Sequence, residues 1–215
     1  MNTSRLTRAV LAAIATVAIC GYSLPAHASS AEEATQSPVA DVDGMNAADV
    51  REGLAAIDDP VAREIADAVI TRAIASGDDV LAFTAEPYTT SPTDGIAARA
   101  FPSGCAMVVW ISRVSQRIEN DTHTACTSGG NWSTAQHQLK IIGVHPFTFA
   151  ETTVRDKSFT KGAATGFSSE VWFNCPNTNL TTWKVISKGR MNRGGQNYET
   201  PWVNDHFNLS QNCGT

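Results

Sequence analysis

Four of the five histidines in this 215-residue chain lie in its second half, and they are its best candidates for acid–base chemistry: His123, His137, His145 and His206. Glu151 and Arg155 follow His145 closely. In a small secreted ribonuclease, a carboxylate or imidazole removes the 2′-hydroxyl proton, a histidine protonates the leaving oxygen and an arginine neutralises the phosphorane. The candidate catalytic set is therefore His145, Glu151, Arg155 and His206, although its spacing is not diagnostic of an enzyme.

The short motifs that would identify a reaction are missing from the sequence. It contains no Gly-x-Ser-x-Gly turn, no His-Glu-x-x-His pair and no phosphate-binding glycine loop. Its cysteines lack Cys-x-x-Cys spacing, so neither a metal nor another cofactor is expected. Histidines scattered through a β protein are more often strand-end residues than catalysts. The sequence therefore favours a binding protein over an enzyme.

All five tryptophans also lie in the second half of the chain. Trp110 and Trp172 have apolar neighbours on both sides, and we expect both to fill the core. Trp132, Trp183 and Trp202 have polar neighbours, which suggests exposed platforms that stack on sugars or anchor a protein partner. The alternative for each of these three is a side chain packed beneath a loop.

A short basic strip accompanies Trp183 and completes the predicted binding surface. It consists of Lys184, Lys188, Arg190 and Arg193. These side chains could contact an anionic partner, such as a cell-wall polymer or the acidic first half of the chain. The alternative is a solvated strand face that has no partner.

Residues 1–28 have the features of a signal peptide rather than of a folded segment. Arg5 and Arg8 precede an apolar stretch that is too short to span a bilayer, and a small-x-small cleavage site ends at Ala28. We therefore expect a secreted protein with no membrane association after cleavage. The alanine-rich style of the segment is typical of bacteria. Its removal also takes away Cys20 and leaves four cysteines, an even number suited to disulfides in an oxidising compartment.

The remaining chain divides near residue 100 into two parts of opposite charge. Residues 29–100 carry a net charge of −10 and no cysteine, whereas residues 101–215 carry +3 and all four remaining cysteines. A whole-chain net charge of −5 argues against a nucleic-acid-binding protein. The acidic segment is either an uncleaved extension or a cleaved prosegment, and either form could contact residues 101–215.

The acidic segment predicts two helices followed by a linker. Asn46 can cap a helix over residues 47–57, and Asp59 can cap a second helix that begins at Pro60 and ends near Ser76. Residues 88–100 are polar and rich in turn formers, which predicts a linker. The two short helices cannot bury an independent core, so we expect them to dock on the rest of the chain or to be marginally stable.

Residues 101–215 alternate apolar and polar side chains with a period of two, which predicts an antiparallel β-sandwich or barrel. One strand is predicted from Cys105, and further strands are predicted over 139–142, 147–154, 170–175, 182–189 and 206–213. Turns are predicted at 120–121, 129–131, 161–162, 176–177 and 193–196. Four cysteines allow three pairings, of which we favour Cys105–Cys126 and Cys175–Cys213, because each closes a local β excursion.

Architecture and cysteine order give the second half a limited resemblance to small secreted actinobacterial inhibitors such as the α-amylase inhibitors. The Trp-Arg-Tyr recognition triplet expected of that family is absent, so the chain is not assigned to it. The leading hypothesis is a secreted non-enzymatic binding protein: an inhibitor, a toxin-like factor or a cell-wall or carbohydrate-binding module. Its partner would be an extracellular protein or a polysaccharide. The alternatives are a ribonuclease-like hydrolase with an acidic prosegment and an envelope-associated structural protein.

Overall fold

A computed structural model of the chain describes residues 44–90, 102–127, 131–204 and 209–214. Two helices lead into ten strands: α1 Ala47–Ala55, α2 Pro60–Ala75, β1 Asp79–Thr90, β2 Pro102–Arg113, β3 Arg117–Cys126, β4 Trp132–Val144, β5 Glu151–Ala164, β6 Gly166–Asn174, β7 Asn177–Arg193, β8 Gln196–Glu199, β9 Val203–Asn204 and β10 Leu209–Gly214. This order confirms the mainly β fold preceded by a short helical segment.

All strand pairs are antiparallel, and they form one curled sheet in the order β5-β4-β7-β8-β1-β2-β3-β6. The long strand β7 pairs with β4 along one edge and with β8, β9 and β10 along the other. The two end strands, β5 and β6, are consecutive in the chain. The sheet therefore forms a nearly closed barrel, and we call the gap between β5 and β6 the seam.

Side-chain caps explain where the two helices begin. The side chain of Asn46 accepts hydrogen bonds from the first turn of α1, and the Asp49 carboxylate accepts from the Asn46 amide at 2.8 Å. The Asp59 carboxylate caps α2 by accepting from the Ala62 amide at 2.8 Å. Gly77, with φ +95°, follows the end of α2. Both predicted helices are confirmed, and they end one or two residues earlier than predicted.

Strand β2 separates two apolar cores because its alternate side chains point to opposite faces of the sheet. Cys105, Met107, Val109 and Ile111 point into the barrel and join the interior core, as the alternation predicts. Ala106, Val108 and Trp110 point outward and pack beneath α2. The α2 side chains that complete this outer core are Ala62, Ile65, Ala66, Ile70 and Ala73.

Strand β1 is the main element that the sequence analysis did not predict. It pairs with β2 along most of its length, and residues 88–90, expected in the linker, form its last part. The acidic segment therefore contributes a strand to the same sheet as the cysteine-rich half. The rest of the predicted linker and the predicted signal peptide lie outside the described residues.

Three strand and turn predictions were wrong in detail. The turns predicted at 120–121 and 161–162 lie inside β3 and β5, and the strand predicted from Phe147 begins only at Glu151. The turn at 193–196 is confirmed between β7 and β8, and Pro176 lies between β6 and β7. Of the turn predicted at 129–131, residues 129 and 130 lie outside the described residues.

The two favoured disulfides are confirmed. Cys105 and Cys126 face each other across β2 and β3, whereas Cys175 links the end of β6 to Cys213 in β10. Closing loops of 21 and 38 residues should stabilise the fold by about 3–4 kcal/mol each in the chain-entropy model. Two disulfides indicate folding in an oxidising compartment. No helix in the described part of the chain is long and apolar enough to cross a membrane.

One glycine in β7 marks a very close approach inside the barrel. A Cβ atom at Gly189 would lie 2.0 Å from the Tyr88 hydroxyl oxygen and 2.9 Å from the Met107 sulfur. Both distances are shorter than any ordinary van der Waals contact, so the absence of a side chain at Gly189 leaves the space that Tyr88 occupies.

Candidate functional site

Four side chains form a hydrogen-bonded chain inside the barrel. The Tyr88 hydroxyl lies 2.8 Å from Thr124 Oγ1, which lies 2.7 Å from His137 Nε2. His137 Nδ1 lies 2.6 Å from Ser169 Oγ, and its ring stacks on Phe167 with 4.1 Å between the ring centroids. Burial lowers the pKa of His137 to about 3, so the ring is neutral at physiological pH.

A histidine can act as the general base that activates a neighbouring serine as a nucleophile, but His137 and Ser169 are poorly suited to these roles. Both side chains are buried, and the low pKa makes His137 a weak base. The chain of bonds instead satisfies polar groups that would otherwise lie unpaired in the core. His137 is one of the four candidate histidines, but neither it nor Ser169 belongs to the candidate catalytic set, because their contact joins strands that do not pair in the sheet.

Two members of the candidate catalytic set have structural partners. His145 Nδ1 accepts hydrogen bonds from the amides of Phe147, at 3.3 Å, and Thr148, at 3.2 Å. Glu151 forms an ion pair with Lys184, a residue predicted for the binding surface. His145 thus stabilises a turn, and the Lys184 ammonium compensates the charge of Glu151.

The other two members do not complete a catalytic site. The Arg155 Nε donates to the Trp172 carbonyl oxygen at 2.9 Å, and its Nη1 donates to the Val154 carbonyl oxygen at 2.8 Å. His206 lies outside the described residues. The three described members therefore bind backbone groups or Lys184, and they do not surround a common cavity.

The tryptophans are distributed differently from the prediction. Trp132 and Trp183 are buried, so the expectation that they form exposed platforms was wrong. Trp183 Nε1 donates to the Cys213 carbonyl oxygen at 3.1 Å inside the barrel. Trp202 is 39% exposed, as expected, but Trp172 is 45% exposed although it was predicted for the core.

Three members of the predicted basic strip form a row of outward side chains on β7, and their charges are largely compensated. The fourth, Arg193, instead lies 3.3 Å from Cys105 Sγ. Lys184 pairs with Glu151, and Lys188 Nζ lies 3.0 Å from Glu199 Oε2. Arg190 Nε lies 3.7 Å from the same Glu199 oxygen. Because acidic side chains neutralise much of its charge, the strip should attract an anionic polymer only weakly.

The most exposed large apolar side chains in the described structure stand together in one turn. Phe147 is 86% exposed and Phe149 is 70% exposed, and both lie between β4 and β5. We call residues 145–150 the aromatic loop. Hydrogen bonds from the His145 amide to the Ala150 carbonyl, at 3.0 Å, and from the Phe149 amide to the His145 carbonyl, at 2.9 Å, close it.

The aromatic loop has a defined conformation and an apolar neighbour. Phe149 has φ +55°, a left-handed conformation that a non-glycine residue rarely adopts. A cavity of about 470 Å³ lies between the loop and the start of β7, where Pro146, Phe147 and Leu180 supply apolar walls. The loop therefore presents two aromatic side chains beside a shallow apolar hollow.

Asp121, on the outward face of β3, has the most strongly shifted pKa among the described carboxylates. Burial raises the pKa of Asp121 to about 8, although a 3.0 Å hydrogen bond from Ser112 lowers it, and the nearby Glu119 and Glu170 raise it further. Burial likewise raises the pKa of Glu119. Within the described ranges, no group of three His, Cys, Asp or Glu side chains is placed to hold a metal ion.

Comparisons with protein-family models and with curated proteins name no relative for this chain. Its sequence matches no protein-family model, and no curated protein is significantly similar to it.

Proposed function

We propose that this protein is a secreted, non-enzymatic binding protein that holds an extracellular protein partner through the aromatic loop. The observation that supports the proposal is the position of Phe147 and Phe149, which are the most exposed large apolar side chains in the described structure and share one short turn. The predicted signal peptide and the two disulfides support secretion.

A protruding aromatic turn suits a partner that offers a concave apolar pocket. Aromatic anchors that enter a pocket contribute much of the binding free energy in protein complexes. Burial of one phenylalanine side chain contributes about 1.5–3 kcal/mol, so two can supply the centre of an interface. In the free protein, both rings are exposed to water, which is energetically unfavourable. Exposed apolar surface of this kind therefore marks an interaction site.

The aromatic loop is also preorganised. The His145 ring and two backbone hydrogen bonds hold it, and Phe149 keeps a left-handed conformation that costs about 1–2 kcal/mol relative to an unstrained residue. Backbone strain of this kind is concentrated at functional sites. A loop held in its binding conformation loses less entropy when the partner binds.

A protein partner fits the surface better than a polysaccharide does. Of the three tryptophans expected to stack on sugars, Trp132 and Trp183 are buried. Trp202 is exposed, but the Lys140 ammonium lies 5.5 Å from the centroid of its ring. The ribonuclease-like hypothesis has no specific support from the described residues, and the envelope-associated hypothesis has none either.

The partner can be captured by a photo-crosslinking amino acid placed at position 147. The matched control carries the same amino acid at Thr160, an exposed position on β5. After incubation of the disulfide-intact protein with culture supernatant, we expect a discrete crosslinked protein from position 147 and not from position 160. Equal crosslinking at both positions contradicts the proposal.

The identified partner is then purified, and its affinity is measured by biosensor against the wild type and a Phe147→Ser, Phe149→Asn double variant. Loss of two aromatic anchors should weaken binding by about a hundredfold or more. A Trp202→Ser variant serves as the control and should bind like the wild type. Unchanged affinity of the double variant rejects the aromatic loop as the binding site.

A further inference from the structure

A groove at the seam forms a second surface feature, separate from the aromatic loop. β5 and β6 are the two ends of the sheet order, and a groove of about 350 Å³ lies between them. One wall comes from β5 and the other from β6; the lining residues are Arg155, Lys157, Phe159, Glu170, Val171 and Trp172. This volume is in the range of small-molecule sites.

The floor of the groove is apolar and firmly supported. Phe159 packs against the interior core, and Val171 is buried. Trp172 leaves 45% of its surface exposed at the rim. Arg155 bridges the seam through its bond to the Trp172 carbonyl oxygen, and its guanidinium lies 5.4 Å from the centroid of the Phe173 ring. The groove is therefore shaped by side chains that are themselves held in place.

The charges of the groove differ from those of the basic strip on β7. Lys157 is exposed and makes no ion pair within the described part of the chain. The described hydrogen bonds of Arg155 go to neutral carbonyl oxygens, which leave its charge uncompensated. Glu170, on the β6 wall, is the one acid among the lining residues. The lining thus combines an apolar floor with a net positive charge.

We propose that the seam groove binds an amphipathic organic anion, a small molecule with an aromatic or short aliphatic body and one carboxylate or sulfonate group. The body would lie against Phe159, Val171 and Trp172. The anionic group would accept charge-assisted hydrogen bonds from Lys157 and from the guanidinium of Arg155. The groove is formed by β5 and β6 and not by the aromatic loop, so this proposal does not depend on the proposed function.

The first test uses 2-naphthalenesulfonate as the probe and 2-naphthalenemethanol as its neutral counterpart. Isothermal titration calorimetry on the full disulfide-intact protein should show one-to-one binding of the sulfonate. The neutral compound should bind at least about tenfold more weakly, because it lacks the charge that Lys157 and Arg155 recognise. No saturable binding at millimolar sulfonate, or equal binding of both compounds, overturns the proposal.

Charge variants localise the site. Lys157→Gln should weaken sulfonate binding by about threefold to tenfold, whereas Lys161→Gln, four residues further along the same strand, should leave it unchanged. Glu170→Gln should tighten binding by about twofold or more, because a like charge is removed. Equal effects of the two lysine variants, or weaker binding in Glu170→Gln, contradict the assignment.

A fluorescence measurement and a vesicle control complete the test. Naphthalenesulfonate should change the tryptophan emission of the wild type, and Trp172→Leu should abolish that change while Trp202→Leu retains it. Vesicles of phosphatidylglycerol separate a free anion from a lipid surface. Sedimentation with these vesicles in the absence of naphthalenesulfonate binding would show a membrane surface as the ligand and overturn the proposal.

Discussion

His137 and Ser169 join two strands that do not pair in the sheet. Their 2.6 Å hydrogen bond runs from β4 to β6 across the barrel interior, and β6 is one of the two end strands. The end strand β6 is therefore fixed by β3 on one side and by a buried polar contact from within. This contact helps to explain how a sheet with an open seam keeps its curvature.

Removal of the Ser169 hydroxyl tests this contact. Ser169→Ala should lower the free energy of unfolding by about 1–3 kcal/mol, because it leaves a buried nitrogen of His137 without its partner. Ser158→Ala, at an exposed position on β5, is the matched control and should change stability by less than about 0.5 kcal/mol. Both are measured by denaturant unfolding under non-reducing conditions. Equal effects of the two substitutions would show that the His137–Ser169 bond contributes nothing.

The pH dependence of stability follows from two groups shifted in opposite directions. The pKa of His137 falls from 6.5 to about 3, so its contribution is complete above pH 6.5 and is lost as the pH falls toward 3. The pKa of Asp121 rises from 3.8 to about 8, so its contribution is complete below pH 3.8 and is lost as the pH rises toward 8. Between pH 3.8 and 6.5 the two effects oppose each other.

We therefore expect a stability plateau in that window, with losses on both sides. The limiting slope is about 1.4 kcal/mol per pH unit for each group, and access of solvent to the partly exposed Asp121 should reduce its share. Denaturant unfolding across the pH range measures the profile. Asp121→Asn should remove the alkaline limb and extend the acid limb up to about pH 6.5, because nothing then opposes the effect of His137 above pH 3.8. An unchanged alkaline limb would mean that other groups cause it.

Phe149 should show a trade-off between stability and binding. Its left-handed conformation suits glycine better than phenylalanine, so Phe149→Gly should raise the free energy of unfolding by about 0.5–1 kcal/mol. The same substitution should weaken partner binding, because it removes an aromatic anchor. Thermal unfolding measures the first effect, and Phe147→Gly, at a position without positive φ, is the control that should not gain stability. Equal melting temperatures for the Phe149 variant and the wild type would argue against strain.

A cut between β1 and β2 should not release the acidic segment. β1 pairs with β2, and α2 packs on the outer face of the same strands, so we expect both fragments to stay together. A specific protease site inserted between residues 91 and 100 allows the cut. The fragments should coelute in gel filtration and separate in denaturant without reductant, because both disulfides lie in the second fragment. Separate elution under native conditions would instead support a releasable prosegment.

Local chemistry in the sequence predicted the helices and the disulfides well, but it did not reveal β1. Helix starts depend on nearby caps such as Asn46 and Asp59, which are visible in the sequence. In β1, consecutive apolar residues face both cores: Leu81 and Ala82 the interior, and Val80 and Phe83 the helices. With both faces covered, the strand shows no alternation of apolar and polar residues.

The tryptophans show a second limit of sequence reasoning. Neighbours in a strand point to opposite faces, so polar residues beside Trp183 indicate an exposed opposite face and not an exposed tryptophan. Val171 and Phe173 point into the barrel, which turns Trp172 outward. The seam groove could not be predicted from the sequence for a different reason. It lies between β5 and β6, and the distance between these end strands depends on how the whole sheet closes.

The close packing of Gly189 against Tyr88 couples two positions that lie about a hundred residues apart in the chain. Among divergent sequences with this architecture, an alanine at position 189 should be found only where position 88 carries a smaller side chain. Such paired exchange would give an evolutionary signature of the barrel that can be sought in sequences alone.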